Sequence, residues 1–189
     1  LEHGARQLFH SPDKRIRASS AQIWEHSLAV AILARDVGAL VHVDDPDACY
    51  LAGLLHDVGK PVVAGMLLEA ERSLGQDRAG WMDPADWWSI IARTHRPIAI
   101  ALVAKWQLPS DVAEAVADCS DYDAGNRQSP ANIVRFANAV AKAQGYLAGP
   151  ADAEEVDALV MIGQSMLGID SEVVARLGRS LAEQIGKTD

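Results

Sequence analysis

Cysteine is nearly absent from this chain. Cys49 and Cys119 are its two examples, 70 positions apart and outside any Cys-x-x-Cys spacing, so neither a disulfide framework nor a thiolate zinc site is indicated and the cytoplasm is the expected compartment. Aromatic residues are sparse at 5%. No unbroken run of about 18 apolar residues occurs and the first thirty residues lack a signal-peptide core, so a membrane span or an export signal is not expected. Positive charge is short as well: 17 Lys and Arg stand against 26 Asp and Glu, a formal net charge of −9. Nucleic-acid affinity rests mainly on Lys and Arg displacing counterions from phosphates, so no nucleic-acid partner is expected. Alternating β-branched patterning is missing too, which removes strands from the reading.

What remains is helical. At 189 residues with 49% apolar content the chain can bury one good core, and an all-α, multi-helix bundle follows from the nearly continuous helical period. Asp45-Pro46, Asp83-Pro84 and Ser129-Pro130 each pair a side-chain acceptor at the N-cap with proline at the first helical position, where its missing N–H costs nothing. Helices are predicted over 21–37, 46–58, 84–94, 97–106, 110–119, 130–148, 153–167 and 171–186, with loops at 60–82 and 120–129 and a short helix within the first loop at 66–74. Residues 1–20 read as an extended or partly helical arm, and 21–189 as one domain. The start at Leu1 suggests a portion of a longer polypeptide.

The stretch "LAGLLHDVGK", residues 51–60, ends an apolar run on two ionisable side chains, His56 and Asp57. Burying such a pair is costly unless a metal or a partner holds it. His26, in "AQIWEHSLAVAILARDVG", shares a helix face with Val30 and Leu33, so it too should point inward. Two histidines and a carboxylate suit Mn, Fe or Zn, although a lone histidine on an apolar face is more often a hydrogen-bonded core residue. Lys60 reads equally as a phosphate-positioning cation or as a cation compensating a helix C-terminus. Trp81, Trp87, Trp88 and Trp106 read as core and groove anchors, since no basic cluster surrounds them. Trp87 and Trp88 are adjacent, so one of them must leave the core face.

"IWEHSLAVA", "LAGLLHDVGK" and "THRPIAIALVAKWQLP", in this order over about residues 20–145, resemble the HDOD family, a regulatory branch of the HD superfamily of metal-dependent phosphohydrolases. The GYP segment of the related cyclic-di-GMP phosphodiesterases is missing. The resemblance implies an HD-like bundle and a minimal metal set of His26, His56, Asp57 and a later aspartate, whose matching position holds Asn138. It also implies a second-metal histidine at His95, while the further histidines expected near 118–121 are replaced by "DCSD". Asp118 and Asp121 there read as solvated loop carboxylates.

A binuclear hydrolytic site is therefore broken in at least two places. The expected function is a regulatory or signal-transduction domain on a degenerate phosphohydrolase scaffold, holding one divalent metal or none. Its expected partners are a protein or other domains of the same polypeptide, with a nucleotide as a candidate ligand. The alternative is a metal-dependent phosphohydrolase acting on a nucleotide or cyclic nucleotide, in which Asp57 and Lys60 are catalytic. A third reading is a plain interaction scaffold.

Overall fold

Three capped helix starts set the register of the chain. Asp45 accepts from the backbone N–H groups of Asp47 and Ala48, Asp83 from that of Ala85 and Ser129 from that of Asn132, each with proline following. The computed structural model describes residues 9, 13–14, 16–73 and 82–186, and all regular elements among them are helices. These are α1 (Arg17–Leu40), α2 (Pro46–Leu55), α3 (Gly59–Ser73), α4 (Pro84–Lys105), α5 (Ser110–Asp118), α6 (Pro130–Ala143), α7 (Ala153–Leu167) and α8 (Ser171–Ile185).

α1 is the axis. Every residue from His26 to Ala34 is buried, because α2, α6 and α8 all pack on it. A helix apolar on every side belongs inside, and α2, α5 and α6 close the main core around it. A smaller cluster lies beside that core, where Val63, Ala64 and Leu68 of α3 meet Trp87 and Ile91 of α4 and Ile16 ahead of α1. The α3–α4 hairpin is thus a unit set against the bundle, and the functional side chains lie along that seam.

Several boundaries differ from expectation for identifiable reasons. α1 begins at Arg17 rather than 21, since Ile16 is already buried by the hairpin. Most of the expected loop 60–82 is α3, whose apolar face packs onto α4; residues 74–81, including Trp81, lie outside the described residues. The expected break between 94 and 97 does not occur, and α4 runs through Pro97. Proline removes one backbone bond at a cost of about 3 kcal/mol, and burial of Ile91, Ala99 and Val103 on both sides of it offsets that cost. α6 stops at Ala143 rather than 148, as Gly145 takes a left-handed φ of 89°.

The arm 1–20 falls mostly outside the described residues, but Phe9 is 2% exposed and meets Trp24 edge-on at 5.4 Å. The segment Pro46–Ser73 is apolar and long enough to cross a membrane by composition, yet it folds into two helices and 61% of its most apolar window is buried in the bundle.

The close approach of α2 to α1 depends on one residue. A Cβ at Gly53 would lie 2.9 Å from the Ala31 Cα and 3.0 Å from the Val30 carbonyl oxygen, both backbone atoms that cannot rotate away. Gly53→Ala should destabilise by about 1–3 kcal/mol. Gly65, on α3 with nothing within 4 Å of its would-be Cβ, should gain about 0.5–1 kcal/mol as alanine. Urea unfolding of both variants checks the pair, and equal effects would mean that α1 and α2 do not depend on this contact.

Candidate functional site

The close crossing at Gly53 carries the chain into the site. Two residues later α2 ends at Leu55, and His56, Asp57 and Val58 form a turn before α3 starts at Gly59. This turn faces His26 of α1, and the rings of His26 and His56 lie 5.4 Å apart with a 54° tilt. α4 closes from the other side at the same point. An added Cβ on Gly59 would sit 1.8 Å from the His95 carbonyl oxygen, so glycine there lets α4 bring His95 onto the turn.

Asp57 is the focus. Its Oδ2 lies 3.5 Å from His26 Nε2, 3.3 Å from His56 Nε2 and 2.6 Å from Lys60 Nζ, while Oδ1 lies 3.3 Å from His95 Nε2. Each histidine places its other nitrogen on a backbone carbonyl. His26 Nδ1 lies 2.8 Å from the Tyr146 oxygen, His56 Nδ1 2.7 Å from Gly53 and His95 Nδ1 2.9 Å from Ile91. Carbonyl oxygens only accept, so every Nδ1 carries its proton, and His26, which burial keeps neutral, turns an Nε2 lone pair toward the carboxylate. The Tyr146 carbonyl reaches His26 because α6 stops early at Gly145. Lys60 Nζ also donates to the Ala148 carbonyl at 3.1 Å.

Burial drives the His26 pKa down from 6.5 to about 3, with the attraction of Asp57 opposing and the charges of His56 and Lys60 reinforcing. Burial by itself would raise Asp57, yet the charges of His56 and Lys60, with hydrogen bonds from His56 and His95, hold it well below the ordinary carboxylate range. The Nε2 atom of His26 is buried without a hydrogen-bond partner. An orphaned lone pair facing a carboxylate is the arrangement a cation relieves, and backbone bonds at the opposite nitrogen are how ligand rings are oriented. The ligand atoms of His26, His56 and Asp57 lie within 4.8 Å of one another, close to the spread that ligand bonds of about 2.0–2.3 Å span. This cluster can hold a metal ion.

A cavity of about 500 Å³ opens beside the cluster, with His56, Asp57, Lys60, His95 and Asn138 on its wall. The Asn138 Oδ1 is buried and unpartnered. All five residues singled out as metal positions, His26, His56, Asp57, His95 and Asn138, therefore fall in one neighbourhood with Lys60. Asp118 and Asp121 are exposed and do not line the cavity. Lys60 does not compensate a helix C-terminus: it stands in the first turn of α3, where the macrodipole disfavours a cation, and Asp57 holds it there. Trp87 is buried, Trp88 lines the cavity and Trp106, expected as an anchor, is 38% exposed at the end of α4. Sequence reasoning missed Arg96, Arg135 and Lys142 on the same wall. The intervals from Arg135 to Asn138 and on to Lys142 put all three on one helix face, which was the available signal.

The HDOD domain family model matches residues 1–122. The match ends before α6, so the place of Asn138 rests on the cavity wall. Among solved structures the fold is similar to "Putative phosphohydrolase from Shewanella amazonensis SB2B", at 17% identity and a TM-score of 0.50 over 89% of this chain and 66% of that one. At that identity the likeness concerns the fold alone. No curated protein matches the chain.

The buried His26 makes metal-free stability depend on pH. The unfolded chain takes up a proton below about 6.5 while folded His26 stays neutral down to about 3, so stability falls as pH drops through that window, by up to about 1.4 kcal/mol per unit. Asp57, whose folded pKa is lowered, adds a loss only below the ordinary carboxylate range. Between pH 7 and 5 metal-free wild type should lose stability more steeply than His26→Gln in urea titrations. Parallel curves would contradict a neutral buried His26.

Proposed function

Because the chain belongs to the HDOD domain family, we propose that it is a regulatory, non-hydrolysing HD-type domain acting in the cytoplasm through a protein partner or other domains of the same polypeptide. One observation carries this reading: the Lys60 ammonium lies 2.6 Å from Asp57 Oδ2. The one carboxylate of the candidate metal set already has its counter-charge built into the fold. With His26 and His56 as neutral ligands, ionised Asp57 and protonated Lys60 sum to zero, so a divalent ion brings a buried site to +2. That is a poor match in a low-dielectric interior. Asn138 adds an amide oxygen but no charge.

Where a metal is held, His26, His56 and Asp57 hold it, with His95 and Asn138 beside it, and the nitrogen-rich set suits Mn, Fe or Zn. Such an ion supplies an activated water and neutralises phosphoryl charge. The alternative reading, a phosphohydrolase of a nucleotide or cyclic nucleotide, is favoured by His95, whose Nε2 lies 3.3 Å from Asp57 Oδ1 and adds a further nitrogen at the cluster. In that reading Lys60 positions phosphate.

Two measurements separate the readings. Asn138→Asp should tighten Mn binding at least tenfold, about 1.4 kcal/mol, in calorimetric titrations against wild type; equal affinities would show that position 138 does not face the ion. Wild type with Mn should show no turnover of cyclic dinucleotides or nucleoside phosphates. Turnover of about 1–10³ s⁻¹ that disappears in His56→Ala would establish the enzyme.

A further inference from the structure

The cavity wall is cationic in a chain whose net charge is −9. Lys60, Arg96, Arg135 and Lys142 all line it, and its carboxylates are Asp57 and Glu155. Asp57 is taken by Lys60 and Glu155 is exposed, so three further cations against one carboxylate leave a surplus of +2. Among the described residues, Arg96, Arg135 and Lys142 form no ion pair.

The three differ in how they are held. Arg96 donates from Nη2 to the Val116 and Ala117 carbonyls, and Arg135 from Nη1 to that of Cys119, so both guanidinium groups are anchored at the C-terminal end of α5. Arg135 also lies over the Tyr122 ring at 5.2 Å. Its Nε is buried with no hydrogen-bond partner. Lys142, half-buried on α6, has neither a hydrogen bond nor an ion pair among the described residues. Burial lowers its pKa, with Asp57 opposing and Lys60 reinforcing. Cations collected in a cleft without counter-charges hold an unfavourable self-energy, and a bound anion relieves it.

The surplus of +2 corresponds to a dianion, and fixed guanidinium groups suit the several oxygens of a phosphate better than a single carboxylate does. The volume of about 500 Å³ exceeds what one ion needs and falls in the range of small-molecule sites. Trp88 and Ile91 add apolar wall for an organic part. We infer that the cavity binds the dianionic phosphate of a phosphorylated small molecule through Lys142 and Arg135, with Arg96 and Lys60 completing the positive wall. This rests on the non-hydrolysing reading, in which the ligand is retained rather than cleaved.

Calorimetric titration of chelator-treated protein with GMP, inorganic phosphate and guanosine tests it, beside an incubation of Mn-loaded protein with GMP whose contents are then separated by chromatography. GMP should bind, inorganic phosphate more weakly and guanosine not at all. Lys142→Met should weaken GMP at least tenfold, while Glu155→Gln, at an exposed position, should tighten it about two- to threefold, and raising salt should weaken it in every folded variant. The inference is overturned if neither GMP nor phosphate binds at 10 mM, if guanosine binds as well as GMP, or if folded Lys142→Met and Glu155→Gln both bind as wild type does. Recovery of guanosine from the Mn-loaded incubation would overturn the non-hydrolysing reading while leaving the anion site in place, whereas intact GMP there and no binding in the calorimeter overturns the site alone.

Discussion

A single buried carboxylate, Asp57 at 4% exposure, is the constraint around which this bundle is organised. An ionised group in that position is tolerated only when neighbours supply charge and hydrogen bonds. Here they come from His56 in the same turn, Lys60 on α3 and His95 on α4, while neutral His26 on α1 turns an unprotonated nitrogen toward the same carboxylate. α4 of the hairpin adds Ala99 and Val103 to the main core, and the interactions at Asp57 join the hairpin to the bundle at a second point.

The backbone is shaped to serve that point. Gly53 lets α2 cross α1 at van der Waals contact, and its carbonyl then receives the His56 proton. Gly59 performs the same service for α4 at His95. The early end of α6 at Gly145 turns the Tyr146 carbonyl toward His26 and leaves that of Ala148 for Lys60. These three glycines are where close backbone approach or a helix end sets the geometry of the site. A fully buried Asn132, which accepts from the Asp123 N–H and donates to the carbonyls of Asp123, Asn126 and Arg127, secures the loop ahead of α6 and so the helix that carries Arg135, Asn138 and Lys142.

Much of this was legible in the sequence because its signals are local. Asp45-Pro46, Asp83-Pro84 and Ser129-Pro130 state three helix starts through capping chemistry alone, and "LAGLLHDVGK" announces a buried ionisable pair. The hydrogen-bonding of the histidines was not legible, since their carbonyl partners are set by helix ends: the Tyr146 oxygen is 120 positions from His26. Pro97 misled because tertiary packing on both sides overrides a local break. Lys60 read ambiguously because only the fold shows which helix end it occupies. The cationic wall escaped notice for a related reason: Arg96, Arg135 and Lys142 are scattered in an acidic chain, and their concentration exists only once α4 and α6 both pack on α5.

The account turns on His26 being neutral, protonated on Nδ1 and presenting a bare Nε2 to Asp57. Nitrogen-15 spectra of the histidine rings in chelator-treated protein at pH 7 report this directly, and diamagnetic zinc reports whether the same atom is a ligand. The expected result is an Nδ1–H tautomer for His26 whose Nε2 resonance moves on zinc addition together with that of His56. A proton on Nε2 of His26 in the metal-free protein, or bound zinc that moves other histidine rings and leaves His26 and His56 unchanged, would contradict it.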